Sequence, residues 1–270
     1  MLAQEILLRA KKCVFTNKSA GALSKIRGDG LDFCEIRPYE AGDDIRKINF
    51  SASGKTGELQ TNIFNENKQI SVVICIMLSG SLHFGSRRLK SELIAEIIAL
   101  LGCSSIRQHN QTKLVFFNQK QQYEFQLKHT GDVLNMVEKI LAWNLLTIQS
   151  NFKSLGDYLL QQEKSMVFII GDFYQQFDFS RIAHKHQANA LMVRDKLEEI
   201  PRFAAELDLV SASDNISIEA NMNKQLALKF NQKLQQLDDQ LIDQCMKHGM
   251  NIGKLYTHDD AFIKLSQLLH

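Results

Sequence analysis

Charge of one sign is missing from this 270-residue chain, in which Lys and Arg number 32 against 30 for Asp and Glu. That balance supplies no strong field for a phosphate backbone, so nucleic acid is not among the expected partners. Cysteine pairs are missing too. Cys13, Cys34, Cys75, Cys103 and Cys245 are odd in number, scattered, and never spaced as C-x-x-C, which leaves buried reduced thiols as the reading. No apolar run is long enough to cross a bilayer: the longest, Val72 to Leu78, is rich in β-branched residues and suits a strand buried on both faces. Glu5 and Arg9 interrupt the stretch that a secretory signal would need to keep apolar. The expectation is a cytoplasmic protein with no direct membrane insertion. Hydrolytic signatures such as G-x-S-x-G and H-E-x-x-H are absent as well. The close pair His184 and His186, two apart on a helix, points to different sides and reads as solvated surface.

What is there is an alternation of strand and helix patterns. Residues 2–15 place Leu2, Ile6, Ala10 and Val14 on one helical face. From Asn17 to Gly57 glycines mix with charges as in a long loop-rich segment, and a loop of that length in a compact domain usually has a job. The runs Glu58 to Phe64 and Ile70 to Leu78, separated by polar residues, predict a hairpin. Helices are expected over 87–106, 131–142, 152–162, 179–186 and 222–248, the last with Gly249 as its cap. Strands are expected over 113–117, 123–127, 166–170, 188–193 and 252–256, with a short hairpin near 207–220 and a last helix opened by Thr257. From Ile70 onward this is a doubly wound, mostly parallel α/β sheet.

Three segments invite a chemical reading. Asn49 to Thr56, N-F-S-A-S-G-K-T, is one residue short of a phosphate loop, but it follows a charged run rather than a buried strand, so nucleotide binding is not expected. Ser79 and Ser81 follow the strongest strand, where open α/β sheets place ligands, and their hydroxyls could face one hard cation. Asp172 follows the strand 166–170 and belongs to the same sheet edge.

At R-P-Y-E-A-G-D-D-I-R-K-I-N-F, Arg37 to Phe50, the chain resembles the signature of domain-of-unknown-function family 58, a group of von Willebrand factor A-like proteins. Further resemblances are Val72 to Ser81, Phe84-Gly85, Ile169 to Phe173 and Val193 to Pro201. The resemblance implies a von Willebrand factor A-like α/β domain over 70–270, with a β insertion near 200–220, preceded over 1–69 by a helix and the signature segment. It also implies a metal-ion site of the form D-x-S-x-S with a later Thr and Asp. Here Met77 stands for the first acid, Ser79 and Ser81 match, Ser150 stands in for the Thr, and Asp172 matches the last acid. One carboxylate and a soft thioether attract Mg²⁺ poorly, so no cofactor is expected beyond weak Mg²⁺. Relatives of this kind imply a non-catalytic adaptor for a MoxR-type AAA+ ATPase, helping to assemble or mature a client protein. Arg37, Tyr39, Gly42, Asp43, Asp44, Arg46 and Phe50 are its candidate partner-binding residues. The alternative is a metal-dependent hydrolase using the serines and Asp172.

Overall fold

A computed structural model describes residues 2–16, 33–64, 70–199, 206–210, 217–221 and 224–269. In chain order its first elements are α1 (Leu2–Thr16), β1 (Phe33–Pro38), α2 (Phe50–Thr56), β2 (Gln60–Phe64), β3 (Ser71–Met77), α3 (Lys90–Arg107), β4 (Gln111–Phe117) and β5 (Gln122–Leu127). There follow α4 (Thr130–Ala142), α5 (Phe152–Gln161), β6 (Met166–Gly171), α6 (Ser180–Lys185), β7 (Gln187–Arg194) and α7 (Lys196–Glu199). The last are β8 (Glu206–Val210), β9 (Ser217–Asn221), α8 (Lys224–Lys247), β10 (Asn251–Tyr256) and α9 (Ala261–Leu268). None of the described helices is long and apolar enough to cross a membrane.

The chain forms two compact units, one of Arg27–Ile70 and one of the remaining residues. In the larger unit six strands lie in the order β10-β7-β6-β3-β4-β5, parallel except for the antiparallel edge strand β5. Strand β3 sits inside this sheet, and Val72 to Leu78 are buried on both faces, as a continuous apolar run requires. Helices α1, α3, α4 and α9 cover one face; α5, α6 and α8 cover the other. This is the doubly wound α/β sheet that the pattern of the sequence predicts. The small pair β8-β9 forms a separate antiparallel ribbon in the expected position.

Several local expectations change. Strand β2 pairs with β1 in the smaller unit rather than with β3, so the predicted 58–78 hairpin does not form. The polar link suited a turn, but pairing depends on which partner the fold delivers. The buried face of α1 is Ala3, Leu7, Ala10 and Val14, with Leu2 exposed. In α8 the stripe carries a buried acid, Asp238, while Phe230 is exposed, and Met222 and Leu226 lie outside the described side chains. Gly249 follows α8 at φ 70°, a left-handed backbone that glycine adopts without strain. Helix α9 is capped by Asp260, which accepts from the Ile263 amide at 3.2 Å, because Thr257 gives its hydroxyl to Asp195 instead. His186 is buried, not solvated: its ring accepts from the Ser165 amide at 3.2 Å and meets the Leu159 carbonyl at 2.8 Å. Burial pushes its pKa down, against the opposing effect of that carbonyl.

Candidate functional site

The chain leaves β3 for α3 on one face of the sheet and leaves β6 for α6 on the other. The carboxyl ends of these adjacent strands therefore diverge, and such a switch point opens a crevice. Both sequence-predicted groups stand there. Ser79 precedes a short 3-10 turn, Gly80–His83, whose Gly80 amide donates to the Ile148 carbonyl at 2.8 Å and so pins the turn. The Ser79 and Ser81 hydroxyls each lie 2.5 Å from Asp172 Oδ2. Each hydroxyl has one proton, so both donate to that oxygen, and their mutual 3.1 Å approach is a packing contact. Asp172 Oδ1 is buried with no hydrogen-bond partner among the described residues. Phe173, next in the chain, holds φ 50°, unusual for a side-chain-bearing residue. That turn lets its ring pack on Phe152 and Phe179 while Asp172 faces the serines.

Met77 belongs to the apolar core on the side of Phe152 and Phe179. It covers Gly171, where a Cβ would come within 2.8 Å of Met77 Cβ, so the thioether serves packing. Ser150 is buried nearby but makes no hydrogen bond to the cluster among the described residues. The sequence-based grouping of Ser79, Ser81 and Asp172 is thus brought together; Ser150 is not bonded into it.

Sequence reasoning missed the cations. Lys90 opens α3, is fully buried, and donates to Glu198 Oε1 at 2.5 Å and to Ser81 Oγ at 3.3 Å. Arg194 ends β7, also fully buried; it donates to the main-chain carbonyl of Asp172 and, at 2.8 Å, to Asp238 of α8. Its guanidinium lies 4.3 Å from the Tyr174 ring centre. Burial, and then the charge of Glu198, pushes the Tyr174 phenol well above its ordinary range, so Tyr174 stays a neutral donor. A signal for Lys90 was present: a lysine in the first turn of a helix opposes the helix dipole and needs a nearby acid. Arg194 and Asp195 are charges at the end of an apolar strand, which the rule that found Asp172 also selects.

The donor set does not fit a divalent cation. Among the described residues only Asp172 supplies a carboxylate to the serines, both hydroxyls are committed to it, and the Lys90 ammonium already stands against Ser81. No group of three or more His, Cys, Asp or Glu is placed to hold a metal among the described residues.

Asp195 builds the neighbouring part of the edge. Its Oδ2 accepts from the Ser86 amide at 2.8 Å, the Ser86 hydroxyl at 2.9 Å and the Thr257 hydroxyl, and its Oδ1 accepts from the Leu197 amide at 2.8 Å. Burial, the largest influence, raises its pKa, yet these bonds together outweigh it and hold the carboxyl below the ordinary value. A depressed folded-state pKa contributes stability above the unfolded value, about 3.9, and that contribution is lost as pH falls through the folded one. Asp195→Asn is therefore expected to lower stability at neutral pH and to flatten its decline below about pH 4, read by urea unfolding across pH. Equal acid sensitivity in variant and wild type would remove Asp195 from that role.

In the smaller unit the signature segment consumes its acids locally. Arg37 Nη2 donates to Asp43 Oδ1 at 2.7 Å, the Glu40 amide to Asp43 Oδ2 at 3.0 Å, and the Tyr39 hydroxyl to the Asp43 carbonyl at 3.3 Å. Asp44 caps a 3-10 turn, Ile45–Lys47, and takes Arg46 Nε and Nη2 at 3.1 and 3.2 Å. Gly42, at φ 116°, sits where a Cβ would be strained. Asn49 caps α2 through the Ala52 amide at 3.0 Å, so the stretch that resembles a phosphate loop is itself a helix closed by its own side chain. Among the residues facing outward are Ile45, Phe50 and Arg46, with Phe50 73% exposed and the Arg46 side chain, paired with Asp44, 90% exposed.

A family model described as "Protein of unknown function DUF58" matches residues 35–238, and the chain belongs to that family. No curated protein matches in a sequence comparison. Among solved structures, the chain is similar to the conserved hypothetical protein BatB from Bacteroides thetaiotaomicron. The two share 15% identity over 74% of this chain and 97% of that one, with a TM-score of 0.42.

Proposed function

We propose that this member of the DUF58 family is a non-catalytic, cytoplasmic interaction module that serves as adaptor between a MoxR-type AAA+ ATPase and a client protein under assembly or maturation. The observation that carries this reading is the division of labour in the signature segment. Its acids are taken up by Arg37, by main-chain amides and by Arg46, while Phe50, Ile45 and the Asp44-paired side chain of Arg46 face solvent. Aromatic and arginine side chains dominate the energetics of protein interfaces, and a rigid base lowers the entropy cost of docking them. The carboxyl edge of the sheet, with Ser79, Ser81 and Asp172 bonded to one another and to buried cations, acts as a fixed support rather than as a water-activating centre.

The test is capture of the ATPase from the same organism by the purified protein, with ATP, with ADP and without nucleotide. Capture is expected in one nucleotide state, and Phe50→Ala or Arg46→Ala each weakens it about tenfold, the effect of a single interface anchor. Asp172→Ala is a poor probe, since Asp172 is buried and its loss acts through the fold. No capture in any state sinks the adaptor reading; hydrolysis by the purified wild type would favour the metal-dependent hydrolase.

A further inference from the structure

We infer that the Lys90 ammonium is a built-in cation that takes the place of a divalent ion at the carboxyl edge of the sheet, ordering that edge without metal. Two side chains touch it directly, Glu198 on α7 and Ser81 after β3, and Ser81 is joined through Asp172, after β6, to Ser79. The ammonium donates directly to Glu198 and Ser81, and Ser81 passes the polarisation on to Asp172 through its own hydroxyl. One carboxylate and one hydroxyl in contact with a positive charge, with a second carboxylate and hydroxyl bonded behind them, are oxygen donors of the type a hard cation would collect. Here the charge arrives on a side chain from the first turn of α3, where the helix dipole disfavours it and Glu198 offsets the disadvantage. Asp172 Oδ1, buried and without a donor among the described residues, keeps lone pairs in reserve that a metal could use and an ammonium does not. Met77 is dispensable to such a set, because the second carboxylate comes from Glu198 rather than from the end of β3.

It follows that removing the ammonium, rather than restoring an acid at position 77, should turn the edge into a metal site. The experiment uses the full chain freed of metal with EDTA and titrated with Mn²⁺ alone, followed by calorimetry and thermal melting. Wild type is expected to bind no Mn²⁺ and to melt identically in EDTA and in millimolar Mn²⁺. Lys90→Ala should melt lower in EDTA, bind Mn²⁺ and recover part of the lost melting temperature; Lys90→Ala/Asp172→Asn should recover none. Lys90→Ser, which adds a further oxygen, is the second variant and is expected to respond at least as strongly. Mn²⁺ binding by wild type overturns the inference without recourse to any variant. It is overturned equally if neither Lys90→Ala nor Lys90→Ser gains a Mn²⁺ response, whether folded or not. The adaptor reading stands or falls separately, on capture of the ATPase.

Discussion

Asp238→Ala is expected to cost the larger unit about 3–5 kcal/mol, the usual penalty for stranding one member of a buried ion pair. Arg194 is fully buried, so its charge depends on what surrounds it. Among the described residues, Asp238 Oδ1 at 2.8 Å is its carboxylate partner, its remaining bond runs to the main-chain carbonyl of Asp172, and its Nε has none. Without Asp238 the guanidinium would keep one neutral acceptor and the Tyr174 ring, too little to replace its lost hydration. Lys254 also donates to Asp238, at 2.6 Å, but it is held at 2.8 Å by Glu199 and reaches solvent, so its loss costs less. Since domains are stable by only about 5–15 kcal/mol, urea unfolding should show a large shift in midpoint. The pair Arg194→Met/Asp238→Leu removes both charges and is expected to regain most of the loss, because apolar groups need no partner. A single replacement costing under about 1 kcal/mol, the range of an exposed pair, would mean that water reaches the guanidinium.

The same buried charges mark the limit of what the sequence reveals. Val72 to Leu78 could be placed at the centre of a sheet because a continuous β-branched run has few other homes. Ser79, Ser81 and Asp172 could be grouped because strand ends in such a sheet share one edge. Strand β2 could not be assigned correctly, since its partner β1 lies before the 3-10 turn and α2 in the chain, and nothing in the polar 65–69 link forbids the nearer pairing with β3. The start of α9 was ambiguous for a related reason. Thr257, Asp259 and Asp260 can all cap a helix, and the choice fell to Asp260 because Asp195 claims the Thr257 hydroxyl and the Tyr256 amide occupies Asp259. Lys90, Arg194, Glu198 and Asp238 come from four different elements, so although the positions of Lys90 and Arg194 carry a signal, which acid pairs with each is decided only when the fold brings them together. In the smaller unit, the signature showed which residues matter but not which of them face inward; Asp43 and Arg37 turned out to serve each other.

Gly85→Ala is expected to lower stability by about 3 kcal/mol, at the upper end of overpacking effects, because the added methyl has nowhere to go. A Cβ at Gly85 would lie 1.9 Å from the Arg88 carbonyl oxygen, 2.8 Å from its carbon and 3.0 Å from Leu89 Cα, all main-chain atoms that cannot swing aside. The loop is fixed on every side. The Lys90 amide donates to the Phe84 carbonyl at 2.9 Å, and Ser86 is bound to Asp195 at both its amide and its hydroxyl. Arg88 reaches the Thr257 and Asp259 carbonyls, each at 2.7 Å, and Glu96 at 2.6 Å. Relief of the clash must therefore break some of these bonds, and the displacement passes straight to Lys90, two residues after Arg88. For a domain of this size the loss corresponds to a melting temperature lower by roughly 10 °C. Gly131→Ala is the control: it lies in the first turn of α4 with no atom within 4 Å of the new methyl, so it is expected to stabilise slightly, by up to about 1 kcal/mol. If Gly85→Ala melts with wild type, the 84–90 loop repacks at little cost, and the rigid setting assigned to Lys90 is wrong.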